Sequence, residues 1–159
     1  MEVNRKPKVV LVDDEDMVLT SIRTLLLMEG EHDVESFTNP SLAVEYLQAN
    51  AVDLVVSDYM MPGMNGIQLL GHARRLQPEV ARVLLTGHAD KGSAIQAINE
   101  VALFQYLEKP WDNAQLLLVI QQAVGRTLLF RQLQSKIAEL DNAHATMRES
   151  QLRLLKAFL

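Results

Sequence analysis

The chain has 159 residues, 48% of them hydrophobic and 22% charged, with a formal net charge of −5. At roughly 100–200 residues per domain, that is one soluble core with room for a short appendage, and it excludes disorder over most of the length. With no cysteine, a disulfide framework, thiolate metal sites and cysteine catalysis are excluded, and a reducing, cytoplasmic setting fits. The longest apolar run, Leu116–Ile120, has five residues where a membrane span needs about 20. Met1–Lys8 is polar and is no signal segment, so neither export nor membrane association is expected. Residues 1–127 carry 17 acidic against 10 basic side chains and residues 128–159 carry three against five. The first part repels a polyphosphate backbone and the second is only weakly basic, so direct nucleic-acid binding by this segment is not expected.

Short apolar runs alternate with amphipathic stretches five times. Lys8–Val12 reads as a first strand, followed by a helix with Val18, Ile22, Leu25 and Leu26 on one face. Asp33–Phe37 alternates polar and apolar as an edge strand does, and Asn39-Pro40 then caps and opens a helix carrying Leu42, Ala43, Tyr46 and Leu47. Asp53–Ser57 is a third strand, separated by the turn-rich loop Met61-Pro-Gly-Met-Asn-Gly66 from a helix with Ile67, Leu70 and Ala73. Ala81–Leu85 and Leu103–Leu107 are the fourth and fifth strands, each followed by a helix, the first marked by Ala94, Ile98 and Val101 and the second by Leu117, Ile120 and Val124. Such alternation builds right-handed βαβ units on a parallel sheet. The continuous apolar runs of strands one, three and four place them inside, covered on both faces. The expected fold is α/β: a doubly wound, five-stranded, flavodoxin-like sheet of order 2-1-3-4-5 over residues 1–127, with a long helical extension over 128–159.

From Phe130 onward the spacing changes to threes and fours. Phe130, Leu133, Ile137, Leu140, His144, Met147, Gln151, Leu154 and Phe158 occupy alternating a and d heptad positions, with polar residues at two of the a layers. That stripe suits a coiled-coil seam and is narrow for a core helix, although a helix folding back on its own domain would share the pattern. No Gly or Pro occurs after residue 125, so the last helix is expected to run straight into the seam. The expectation is a parallel homodimer whose helix leads toward an output domain beyond Phe158-Leu159.

In a doubly wound sheet, ligands bind beyond the carboxyl ends of the strands where the order reverses, here between strands one and three. Asp13 and Asp14 follow strand one and Asp58 follows strand three, so three carboxylates converge. With oxygen donors alone, the counter-charge that fits is Mg²⁺ or Mn²⁺ rather than Zn²⁺. Thr86 ends strand four with a hydroxyl, Gly87 leaves room beside it, and Lys109 follows strand five with a mobile ammonium that Pro110 biases toward extended backbone. A nucleophilic carboxylate, a metal, a hydroxyl donor and an ammonium are what phosphoryl transfer needs, because that chemistry is mostly positioning and charge neutralisation. Singly, each residue also reads as a turn or helix cap.

Together, Asp13-Asp14, Asp58 with its Met61–Gly66 loop, Thr86-Gly87 and Lys109-Pro110 resemble the motif set of the receiver domain of two-component response regulators, over about residues 7–127. The resemblance implies that Asp58 accepts a phosphoryl group from a sensor histidine kinase or phosphotransfer protein. It implies Mg²⁺ ligation by Asp14, Asp58 and the Met60 carbonyl, with Asp13 holding a metal-bound water, and phosphoryl binding by Thr86 and Lys109. Tyr106 stands where the family carries the aromatic that follows the Thr hydroxyl inward, repacking the surface of the fourth helix, fifth strand and fifth helix; it also reads as a half-buried edge-strand aromatic. Met60 and His88 occupy the two positions that help set phosphoryl lifetime; an apolar Met60 does not suit positioning a hydrolytic water, and His88 reads first as an exposed, solvated side chain. Such a domain accepts and loses a phosphoryl group and is not itself counted an enzyme.

Two other readings compete. Asp14-Glu-Asp16-Met-Val18 fits the D-x-D-x-V pattern of haloacid-dehalogenase-type Mg²⁺-dependent phosphatases, but leaves Asp58 and its loop without a role. A docking module that works without phosphorylation would usually lack one of the acidic or basic residues present here. Lys109-Pro-Trp-Asp112 also resembles receivers joined to cyclic-di-GMP phosphodiesterase modules of the HD-GYP type.

Overall fold

A computed structural model describes residues 5–158; residues 1–4 and Leu159, at the outer limits of the two expected segments, lie outside the described residues. The elements are β1 (Lys8–Val12), α1 (Asp16–Glu29), β2 (Asp33–Phe37), α2 (Pro40–Ala49), β3 (Leu54–Asp58), α3 (Gly66–Leu76), β4 (Ala81–Thr86), a 3₁₀ turn (His88–Asp90), α4 (Lys91–Glu100), β5 (Gln105–Glu108) and α5 (Asn113–Ala157). The strands are all parallel in the order β2-β1-β3-β4-β5, the expected doubly wound sheet.

Alternate residues of the strands face opposite layers. Val9 and Leu11 join Leu54, Val56, Val83 and Leu85 in one core closed by Leu19, Ile22 and Leu26 of α1 and by Leu116, Ile120 and Val124 of α5. Val10 and Val12 join Val55 and Leu84 in the other, closed by Ala43 and Leu47 of α2, Leu69, Leu70 and Ala73 of α3 and Ala94 of α4. β1, β3 and β4 are buried almost throughout, so the active edge is presented by rigid strands.

Several expectations shift by one or two residues. β3 starts at Leu54 because Asp53 serves as its anchor, its carboxylate accepting the Lys8 N–H at 2.6 Å. β5 starts at Gln105 because Leu103 and Phe104 close the α4–β5 turn, Leu103 N–H reaching the Ile98 carbonyl at 3.1 Å and Phe104 N–H the Arg82 carbonyl at 2.8 Å. Leu42 is exposed rather than packed, the inward row of α2 being Pro40, Ala43 and Leu47. On α3 and α5 the buried row includes Leu69 and Leu116, while Ile67 and Leu117 are half-buried.

Arg82 interrupts the strand that reads as apolar. Its guanidinium is buried, donating to the carbonyls of Val101 (2.9 Å), Val80 (2.8 Å), Ala102 (3.2 Å) and Pro78 (3.3 Å). Two of these are orphan acceptors at the end of α4, where Ala102 takes a left-handed φ of 49° usually left to glycine. Thr127 closes the same end of the domain. Its buried hydroxyl accepts the Ala81 N–H at 2.9 Å and donates to the Ala123 carbonyl at 3.3 Å.

The chain packs as two units, one ending at Thr127 and the other beginning at Leu128. The second is helical to Ala157, and its described side chains are exposed apart from a half-buried Arg131. Among the described residues no helix is long and apolar enough to cross a membrane.

Candidate functional site

Asp13, Asp14, Asp58, Thr86 and Lys109 all emerge at the carboxyl edge of the sheet, from the ends of β1, β3, β4 and β5. Carboxylate oxygens of Asp13, Asp14 and Asp58 lie within 4.8 Å of one another. Asp13 is buried and its Oδ1 accepts the Glu15 N–H at 2.9 Å; Asp58 is buried and Asp14 exposed at the mouth. Lys109 Nζ sits 3.0 Å from Asp58 Oδ1 and 3.4 Å from Asp13 Oδ2.

One ammonium stands against three carboxylates, and burial adds to the cost of keeping two of them charged. Burial, opposed by the Glu15 N–H and reinforced by the charge of Asp58, pushes Asp13 up to about 6. Asp58 is also raised, by burial against the opposing pull of Lys109. Burial alone would lower Lys109, but its hydrogen bond to Asp58 and the charges of both aspartates hold it above the usual lysine range. An all-oxygen donor set short of positive charge fits a hard divalent cation.

The backbone is fixed as tightly as the side chains. Tyr59 N–H donates to the Leu85 carbonyl at 2.9 Å, and Gly66 N–H folds the loop back onto the Tyr59 carbonyl at 2.8 Å. Asn65 and Gln68 cap α3 reciprocally at 2.9 Å each. Gly66 lies so close to the strand that a Cβ would overlap the Asp58 carbonyl oxygen and approach Leu84 Cδ1 to 2.8 Å. Backbone cannot yield as a side-chain tip can. Gly66→Ala is therefore expected to cost about 3 kcal/mol in urea unfolding, whereas Gly92→Ala, on α4 with open space for a Cβ, costs nothing or stabilises slightly.

Thr86 is fully buried and its hydroxyl donates to the Leu107 carbonyl at 3.4 Å, turned toward β5. Its carbonyl accepts the Lys109 N–H at 2.7 Å, and the Lys109–Pro110 peptide is cis. A Cβ at Gly87 would meet Asp90 Oδ2 at 3.3 Å, so this glycine gives clearance to the β4–α4 turn. Tyr106 is half-buried on β5 and packs against the α2–α3–α4 core, while the Met60 side chain is exposed. His88 is committed: its Nδ1 lies 2.6 Å from Glu108 Oε1. The roles of Glu108 and Arg82 do not show in the sequence, since pairing across elements leaves no mark in spacing along one element.

Fold and site together define a doubly wound α/β domain with an acidic pocket at its switch point and a lysine reaching into it. The family model for the response regulator receiver domain matches residues 9–121, and the chain belongs to that family. It is a phosphoacceptor signalling domain, and the matches favour neither the phosphatase nor the docking-only alternative. It is similar to the hydrogenase transcriptional regulatory protein HoxA of Cupriavidus necator, 30% identical over 76% of this chain and 25% of that one. To the phosphoglycerate transport system transcriptional regulatory protein PgtA of Salmonella typhimurium it is 32% identical, over 92% of this chain and 33% of that one. Among solved structures, the signal receiver domain of an HD domain-containing protein from Pseudomonas fluorescens Pf-5 superimposes with a TM-score of 0.72 at 34% identity, over 77% of this chain and 98% of that one. The chain thus spans a quarter to a third of the length of these curated relatives.

Proposed function

We propose that Asp58 is the phosphoacceptor. One of its carboxylate oxygens forms a bond to phosphorus as the P–N bond of a phosphohistidine breaks, the imidazole nitrogen keeping the electron pair. The donor is a sensor histidine kinase or a phosphotransfer protein. Asp13, Asp14, Asp58 and the Met60 carbonyl would hold Mg²⁺, with Mn²⁺ as substitute; a cation there neutralises charge that the transferred group brings to the carboxylates. Lys109 neutralises the rest from the other side, and Thr86 turns its hydroxyl from Leu107 to the phosphoryl oxygens. Tyr106 then fills the space left on β5, repacking the surface of α4, β5 and the start of α5. The observation that carries this reading is Lys109 bridging Asp58 and Asp13 within a trio of converging carboxylates.

The domain carries no turnover beyond gaining and losing this group, and it works in the cytoplasm without binding nucleic acid or membrane itself. Residues 1–127 form the receiver and 128–159 a parallel coiled coil that pairs two copies and relays the change to an output domain. The likeness to the receiver of an HD domain-containing protein favours an HD-type output, while the curated relatives are transcriptional regulatory proteins. The direct test is intact-mass analysis after acetyl phosphate. One added phosphoryl group, dependent on Mg²⁺ and absent in Asp58→Asn, is expected; labelling that persists in Asp58→Asn overturns the assignment.

A further inference from the structure

We propose that His88 and Glu108 are positioning residues forming a latch that holds the β4–α4 turn in its resting place. The Glu108 carboxylate, at the end of β5, holds the turn at both ends. Oε1 meets His88 Nδ1 at 2.6 Å at the start of the 3₁₀ turn, and Oε2 lies 3.9 Å from Lys91 Nζ at the start of α4. The hydrogen bond from His88 is also the largest influence holding the Glu108 carboxyl below its ordinary range.

The latch sits between the two groups that must cooperate. Thr86 is two residues before His88, and Lys109, whose N–H is held by the Thr86 carbonyl at 2.7 Å, is the residue after Glu108. Glu108 points outward to the turn while Lys109, just past the strand, reaches inward to Asp58. With the turn drawn toward β5, the Thr86 hydroxyl rests on the Leu107 carbonyl at 3.4 Å, a long bond that alone would hold it weakly. Turning Thr86 toward a phosphoryl group on Asp58 moves the residues that follow it, and His88 must then leave Glu108. The latch therefore opposes the switch. His88 acts on phosphorylation through this bond rather than by positioning a water.

Its strength is limited by solvent, since the His88 side chain is 92% exposed. An exposed pair of this kind shifts an equilibrium by roughly threefold, enough to set a threshold without locking the domain. The inference rests on the phosphoacceptor reading. The test titrates the full chain with beryllofluoride at saturating Mg²⁺, read from the single Trp111, which packs against the core just past Pro110. The expected result is a half-saturating concentration about threefold lower in His88→Ala and in Glu108→Ala. The double variant gains no more than either single one, which a general loosening of the fold would not produce. A wild-type response with half-saturation unchanged or higher in the variants, or with additive shifts, overturns the latch alone. No beryllofluoride binding by the wild-type chain, checked by ¹⁹F NMR, overturns the phosphoacceptor reading and the latch with it.

Discussion

In metal-free buffer, Asp13→Asn is expected to make the domain more stable at pH 7.5 and to leave it nearly unchanged at pH 4. The folded domain holds Asp13 up to about 6 against 3.8 when unfolded. A raised folded value means that the stabilisation from protonation is complete below 3.8 and is lost as pH rises through 6. At pH 7.5 the wild-type carboxylate is ionised, buried and only partly compensated by Lys109 at 3.4 Å. The difference between the two values corresponds to about 2–3 kcal/mol, or roughly 8 °C in melting temperature. Asparagine keeps the acceptor for the Glu15 N–H and removes the charge. Comparison with the variant is needed because His32 works in the opposite direction. Burial lowers its proton affinity, its buried Nδ1 has no partner among the described residues, and acid below about 6.5 therefore costs the fold stability. Subtracting one melting curve from the other cancels that term. Saturating Mg²⁺ should reverse the order at pH 7.5, raising the wild type more than the variant. A variant less stable than wild type at every pH in the chelated state would show that Asp13 is a structural support rather than a charge held for a ligand.

The same physics explains what could be read in advance. Asp13, Asp14, Asp58, Thr86 and Lys109 were legible because each stands at or within two residues of the carboxyl end of a strand-like run, and the topology of a parallel sheet carries all such positions to one edge. Nothing subtler than strand ends was needed. Leu42 misled because a helix pattern gives a stripe without saying which row meets a neighbour, and Ala43 and Leu47 suffice to fill the space under α2. Arg82 escaped notice because a single charge inside an apolar strand resembles noise until its four carbonyl acceptors, scattered over residues 78–102, come together. The resting state of Thr86 and the partner of His88 were illegible for a different reason. They depend on rotamers and on pairing between β5 and the turn after β4, which no local spacing encodes.

At tens of micromolar, the chain is expected to sediment as a dimer and Ile137→Lys as a monomer. Exposure alone does not single out Ile137. Ile137 is 58% exposed and Leu152 is 57%, two aliphatic side chains on the same helix. Their heptad positions differ: Ile137 falls at an a layer between Leu133 and Leu140 at d, and Leu152 falls at b, on the outer side. β-Branched residues at a with leucine at d favour two strands, and a lysine at a puts two like charges against each other across the seam. Leu152→Lys, with the same change of charge, should leave the dimer intact. The polar layers give the complementary result: His144→Ile should tighten association by at least about tenfold, since each copy exchanges an imidazole for an apolar knob. If Ile137→Lys and Leu152→Lys weakened association equally, the stripe would be a general apolar surface. A monomeric wild-type chain, unchanged by beryllofluoride, would remove the coiled coil altogether and leave the receiver to signal through α4, β5 and the start of α5.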